Sequence, residues 1–521
     1  MPSPAGRRGI GGLLTLVLVL TPLPALASSE AVPLTELGTG TQEGTAGQSG
    51  TAGQGGTAGQ PGAAGQGDTQ AGPDAFQAGT QAGTQAGTQA GTQAGPDTFQ
   101  AGTTIVAAQQ VGRFFDGGAS GIAYATSADN GATWTRGVLP GITTSGGGLH
   151  RRVSDPSVAY DARHGVWLIS SLALTDQNGV TGAAVLTNRS ADGGLTWGDP
   201  VTTAVANGGD LDKSWVVCDN GARSPYYGRC YAVYDDAAAG NAIKVARSSD
   251  GGLTWAETGT SATGLGGQPV VRPNGALVVP YLSDEGQIRS LRSRDGGESW
   301  GRSVLVATVQ RHRVAGGLRA APLPSAEVDA AGTVYVAWSD CRFQLSCGGN
   351  DIVMSTSATG AQWSHILRVT DDGGDHFIPG LGVDPAAAGE TARLALAYYR
   401  YPSAACTAAT CRLTVGYTSS ANGGASWSAP VELHGPMELG WLADSAQGRM
   451  AGDDISTSVL PGGNAYVAFT AAAAPADGAF DMRTYTVTGG LPITGGGRPT
   501  LAIEAPIAAG EELPGPPAPA R

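Results

Sequence analysis

Ser127-Ala128-Asp129-Asn130-Gly131-Ala132-Thr133-Trp134 decides the fold, because the chain repeats it. The pattern Ser-x-Asp-x-Gly-x-(Thr/Ser)-Trp returns at Ser190 to Trp197 (SADGGLTW), Ser248 to Trp255 (SSDGGLTW) and Ser293 to Trp300 (SRDGGESW). Ser420 to Trp427 (SANGGASW) carries Asn422 in the acidic place, and Thr356 to Trp363 (TSATGAQW) keeps only Gly360 and Trp363. Self-similarity at a spacing of some tens of residues signals a repeat architecture. Asp129, Asp192, Asp250, Asp295 and Asn422 suit a turn, because Asp and Asn hydrogen-bond their own downstream backbone. Glycine takes backbone angles that other residues resist. Trp134, Trp197, Trp255, Trp300, Trp363 and Trp427 each bring an apolar surface large enough to clamp the turn to a neighbour. Strand-like runs such as Gly121–Thr126 and Ala183–Thr187 precede the copies, so the motif reads as a hairpin turn and as scaffold.

A second pattern precedes each turn: a strand entered through a polar or proline-containing segment, then a second apolar strand. Asp155-Pro156-Ser157-Val158 leads to Val166–Ile169, and Lys213–Val217 leads to Cys230–Tyr234. The same pairing starts at Gln268, Pro324, Pro379 and Asp453. Alternating apolar positions bounded by Gly and Pro predict an all-β fold, and four-stranded units repeated radially make a propeller. The repeated turn resembles the Asp-box (BNR) repeat of sialidases and related β-propellers, over residues 103 to 489. The resemblance implies that the box joins the third and fourth strands of each blade on the outer rim, while functional residues come from the opposite end. Six inner strands and six boxes predict a six-bladed propeller of sialidase type, with seven blades as the alternative.

Outside the repeats the chain changes character. Arg7-Arg8, the apolar Leu13–Leu20 and Ala25-Leu26-Ala27 predict a secretory signal peptide over residues 1–27, and hence an extracellular protein. Residues 28–102 are low in complexity and poor in large apolar side chains, which predicts a disordered stalk. Within it Gly72-Pro73-Asp74-Ala75-Phe76-Gln77 recurs as Gly95-Pro96-Asp97-Thr98-Phe99-Gln100. Residues 490–521, rich in Gly and Pro, predict a disordered tail; Leu491–Gly495 matches a sortase signal but lacks the following apolar span and basic end. The six cysteines fall into close pairs, which predicts disulfides Cys218–Cys230, Cys341–Cys347 and Cys406–Cys411 in an oxidising compartment. No segment other than the signal is long and apolar enough to span a bilayer. A net charge of −13 argues against nucleic acid as a partner. No metal-ligand spacing is present and no cofactor is expected, although Asp-rich loops suit Ca²⁺ chemically. A monomer is expected.

In a propeller the segments entering the inner strands line the central mouth. Here they carry Arg151, Arg152 and Asp155; Asp210, Asp212 and Lys213; Gln268; Ser325; Asp375 and His376; Asp453 and Asp454. Converging carboxylates and cations suit a polar ligand such as a glycan or glycoconjugate, and paired carboxylates suit acid–base work. Two other groups read as structural: Asp340 with Arg342 and Asp351, and Asp235-Asp236 at a hairpin exit. The resemblance to sialidases implies three arginines that clamp a carboxylate, an aspartate acid/base and a tyrosine nucleophile. Arg152, Arg319, Asp155, Asp212, Asp453 and Tyr399 are the candidates for that machinery. The Phe-Arg-Ile-Pro motif of the family is absent; its nearest counterpart is Val111-Gly112-Arg113-Phe114. Three functions follow: an exported exo-α-sialidase-type glycosidase, a non-catalytic propeller that binds glycans or proteins, or another carboxylate-dependent hydrolase or lyase.

Overall fold

A computed structural model describes residues 34–37, 88–177, 179–496, 498–499 and 502–503. The expected signal peptide, most of the expected stalk and most of the expected tail lie outside the described residues.

Among the described residues the strands fall into four-stranded antiparallel groups, units I to VII in chain order, with Ala502–Ile503 adding a fifth strand to unit V beside Ile366–Arg368. Their innermost strands are Thr88–Ala101, Arg152–Asp161, Leu211–Cys218, Val270–Val271, Ser325–Val328, Asp375–Val383 and Ser456–Val459. Units I and II share one sheet only through the pair Ala119 and Val153. Two strands fall outside the sequence count of six blades, which kept seven as its alternative. Unit I takes its inner strand from Thr88–Ala101, inside the stretch assigned to the stalk. Unit VII takes its fourth strand from the far N-terminal side, where Leu34–Glu36 pairs with Tyr485–Val487. The stretch assigned to the tail is also partly built in: Leu491 and Ile493 are buried, and Leu491 bridges to Ala465.

Successive inner strands touch, and the last touches the first. Most steps are sealed by a short polar side chain of one inner strand bonded to the next. The Val158 N–H donates to Asp97 Oδ2 (2.7 Å), Val216 N–H to Ser157 Oγ (3.1 Å), Ala326 N–H to Gln268 Oε1 (2.8 Å) and Leu381 N–H to Ser325 Oγ (3.0 Å). Thr457 Oγ1 donates to the Gly380 carbonyl (2.8 Å), and Ser456 Oγ donates to Asp97 Oδ1 (2.7 Å). Such bonds satisfy backbone groups that sheet pairing leaves open at an edge strand.

The core is distributed between units. Trp167 and Ile122 pack between I and II, Tyr231 and Val279 between III and IV, and Tyr399, Phe469 and Met437 between VI and VII. The repeated motif lies between the third and fourth strands of units I to VI. Asp192 shows how it closes: its carboxylate accepts the Thr196 N–H (2.9 Å) and the Ser190 hydroxyl (2.7 Å), and Trp197 Nε1–H donates to the Gly194 carbonyl (3.1 Å). In Ser420–Trp427 Asn422 Oδ1 accepts the Ser426 N–H and the Ser420 hydroxyl (both 2.9 Å), and its Nδ2–H donates to Ser426 Oγ (2.9 Å). Each tryptophan leans on the preceding unit. Trp197 of unit II meets Tyr124 of unit I with ring centroids 5.8 Å apart, and Trp427 of unit VI joins Tyr335 and Met354 of unit V. The motif is thus a clip between neighbours, and burying one indole contributes on the order of 2 kcal/mol.

Three disulfides are formed, Cys218–Cys230, Cys341–Cys347 and Cys406–Cys411, and no described cysteine is free. No helix among the described residues is long and apolar enough to cross a membrane.

Candidate functional site

The inner strands do not enter straight. Bulges interrupt the pairing between Ala94 and Asp97, Ser154 and Ser157, Asp212 and Trp215, and Phe377 and Pro379. Each bulge holds a residue in the left-handed region: Gly95 (φ 57°), Asp155 (φ 46°), Lys213 (φ 52°) and Ile378 (φ 52°). A bulge re-aims a side chain, and non-glycine residues with positive φ cost about 1–3 kcal/mol and concentrate at functional sites. Asp155 and Lys213 are thereby turned towards each other from units II and III.

They meet at a cavity of about 420 Å³, lined by Arg113, Asp155, Asp212, Lys213, Arg319 and Asp453 among others. Asp453 is the fixed anion. Both Lys213 Nζ and Arg319 Nη2 bond to its Oδ2. Burial alone would raise the Asp453 pKa, but the two cations overcome it and hold the carboxyl well below the usual carboxylate range. The same pairing raises Lys213 and Arg319 against the effect of their own burial. Arg113 donates to the Met450 carbonyl (3.2 Å), and burial with repulsion from Arg319 brings its pKa down to about 10.

Asp155 is the opposite case. Burial pushes its pKa up, Lys213 opposes this, and the Asp212 and Asp453 charges add to it. Its Oδ2 is buried without a hydrogen-bond partner. Asp454 rises to about 7, again through burial first. One carboxyl locked in the ionised state beside others biased towards the protonated state is the arrangement that separates base from acid.

Asp155, Asp212, Arg319 and Asp453, named from the sequence, converge here. Arg152 stands behind the wall: it pairs with Asp116 (2.5 Å) and Asp176 (3.3 Å), and its guanidinium lies 4.3 Å above the Phe114 ring. Tyr399 is not part of the site. It is fully buried between units VI and VII, where its hydroxyl donates to the Thr470 carbonyl (2.8 Å) and accepts the Thr470 N–H (2.9 Å). Its place on the second strand of its unit removes it from the mouth. His376 is likewise buried, 3.0 Å from Asp372 and against Tyr398. Asp235, read as a hairpin exit, belongs with the cluster: it is buried, and burial followed by the Asp212 charge raises its pKa well above the usual value. Its neighbour Asp236 does serve the hairpin, pairing with Lys244 (2.7 Å). Asp340 and Arg342 pair with each other (2.7 Å), while Asp351 pairs with Arg368 (2.9 Å). Arg113, in the segment that fails to match the sialidase motif, nonetheless lines the cavity.

No family model matches the chain, and no curated protein matches it. Solved structures do. A protein of unknown function from Dyadobacter fermentans aligns over 63% of this chain and 94% of its own at 17% identity, with a TM-score of 0.43. The Hadza microbial sialidase Hz136 aligns over 60% of this chain and 65% of its own, at 17% identity and a TM-score of 0.44. The leech intramolecular trans-sialidase aligns over 60% and 65% respectively, at 13% identity and a TM-score of 0.37. This chain thus spans slightly less than two thirds of the length of both sialidases.

Proposed function

We propose that the protein is an exported seven-bladed β-propeller whose 420 Å³ cavity binds a glycan and cleaves a glycosidic bond, with Asp155 as general acid. The observation that carries this reading is Asp155 itself: a buried carboxyl with a free Oδ2, biased towards protonation, facing a cavity beside the ionised Asp453. A protonated carboxyl can give its proton to a leaving glycosidic oxygen, and a neighbouring carboxylate activates water or stabilises the cationic sugar. Asp212 holds that second position. Lys213, Arg319 and Asp453 keep the charge pattern fixed, so the site need not reorganise as the bond breaks. The signal sequence and the disulfides support export, and closure of the inner strands from unit VII to unit I supports the blade count.

The cavity favours a neutral sugar over a sialoside. Arg319 is committed to Asp453, Arg152 to Asp116 and Asp176, and Arg113 to Met450. Among the described residues, no tyrosine lines the cavity. A sialidase reaction would need the arginines freed and another nucleophile.

The test is a panel of fluorogenic glycosides, neutral α- and β-glycosides with an α-sialoside alongside, on the chain with its disulfides formed. Turnover of a neutral glycoside is expected. Asp155→Asn should lower kcat at least 100-fold with KM little changed, the usual scale for general acid–base catalysis. The basic limb of the pH–rate profile should vanish with it. Turnover that survives in Asp155→Asn overturns the assignment of the acid. A folded protein that turns over none of the panel overturns the catalytic reading and leaves a binding propeller.

A further inference from the structure

A second cavity, of about 300 Å³, opens along the same inner strands; of the carboxyls of the candidate site, only Asp454 lines it. Its walls are Val158, Val216, Val270, Val328 and Val383 with prolines Pro269 and Pro379. Its ionisable lining is one-sided. Asp97, Glu327, Asp329 and Asp454 line it, and among the described residues no lysine, arginine or histidine does. Asp329 is committed to its own turn, accepting the Thr333 N–H (2.8 Å) and the Tyr335 hydroxyl (3.2 Å). Asp97 is tied to Val158 and Ser456, while the Glu327 carboxyl meets the backbone N–H of Val328. Burial and the Asp97 charge push Glu327 up to about 8, and burial first of all pushes Asp97 up to about 6. The carboxyls are therefore biased towards holding their protons, and ionising them in a low-dielectric site is costly unless a cation sits beside them.

An independent feature points the same way. Gln100 also lines this cavity and is only 8% exposed, yet neither Oε1 nor Nε2 has a hydrogen-bond partner. A buried carboxamide left wholly unpaired costs about 1–3 kcal/mol for each unsatisfied group, so a ligand that bonds it recovers that loss. We propose that this cavity binds an organic ammonium ion: the carboxyls of Glu327, Asp97 and Asp454 face its charge, the valine and proline walls take its apolar body, and Gln100 Oε1 accepts one of its N–H groups. Binding of the ammonium ionises Glu327, and the released proton goes to solvent.

Benzylamine is the probe, with benzyl alcohol as its neutral counterpart, titrated calorimetrically into the full chain. Saturable benzylamine binding is expected, at least tenfold tighter than benzyl alcohol and tighter at pH 8 than at pH 6. At pH 7 the measured heat should differ between phosphate and Tris buffers, reporting proton release. Glu327→Gln should weaken benzylamine at least tenfold, and Gln100→Leu by a smaller factor, with thermal unfolding showing that both variants are folded. Equal binding of amine and alcohol overturns the proposal, as does no benzylamine binding by the wild-type chain. Binding with no pH dependence also overturns it, and that measurement needs no variant.

Discussion

Replacing Glu327 by Gln should stabilise the protein, but only where the wild-type glutamate is forced to ionise. Burial, reinforced by the Asp97 carboxylate, moves Glu327 from its usual 4.5 to about 8 in the folded chain, against the backbone N–H of Val328. The folded state therefore holds this proton more tightly than the unfolded state. The stability it contributes is fully present below pH 4.5 and is lost as pH rises through 8. At about 1.36 kcal/mol per tenfold change in proton concentration, the span from 4.5 to about 8 corresponds to about 5 kcal/mol as an upper bound. Water entering the cavity and local relaxation reduce this, and about 2 kcal/mol is the expected loss between pH 5 and pH 9. Glu327→Gln keeps the shape and never ionises. Urea denaturation followed by tryptophan fluorescence at pH 5, 7 and 9 gives the difference between the two proteins, from which the Asp454 contribution cancels and the Asp97 contribution cancels except for its coupling to Glu327. Near-equal stability at pH 5 and a variant more stable by about 2 kcal/mol at pH 9 are expected. A difference that does not change with pH would refute the reasoning, because it would mean that Glu327 titrates alike in both states.

Three further outcomes follow from the packing. Deleting the residues before 88 removes Leu34–Glu36 and the buried Leu37; loss of Leu37 alone costs about 1.5–3 kcal/mol, read as a lower urea midpoint, and starting the chain at 103 also removes Thr88–Ala101 and should abolish folding, read by circular dichroism. Asp192→Ala should cost about 1–2 kcal/mol in urea denaturation and Asp192→Asn less than half of that, since Asn422 already makes the equivalent bonds in its own copy. Opening Cys218–Cys230, which closes a separation of 12 residues, should cost about 2–3 kcal/mol, measured as the shift in denaturation midpoint for Cys218→Ser/Cys230→Ser.

Much of this was legible before any coordinates. The clip motif announces itself because its Ser, Asp, Gly and Trp each do local work within eight residues, so the sequence spacing and the hydrogen bonds are the same information. The disulfides were legible for the same reason, as separations of 12, 6 and 5 residues leave little choice. Asp155, Asp212 and Asp453 were named by position, just ahead of the inner strands, whereas Arg319 was named only as an arginine that the resemblance to sialidases implies. What stayed hidden is what depends on partners distant in the chain. Thr88–Ala101 has Phe99 as its only large apolar side chain, so its pattern matches a polar repeat; its strand character comes from pairing with Thr104–Phe114. The signal that separates it from the rest of the repeat is Gly95-Pro96-Asp97, which has the same form as Asp155-Pro156-Ser157: a left-handed residue, a proline, then a side chain that accepts the backbone N–H of the next inner strand. Asp235 was missed because nothing in a strand-terminal Asp-Asp pair says which carboxyl turns inward; Asp236 takes Lys244 and the hairpin, and Asp235 is left to the cluster. Tyr399 was misplaced by the opposite error, a role carried over from a resemblance without a position to hold it. The left-handed entry is therefore the more useful rule for this chain. Where that position is glycine the strand only turns, and where it is Asp155 or Lys213 the same backbone strain delivers a charge to the cavity.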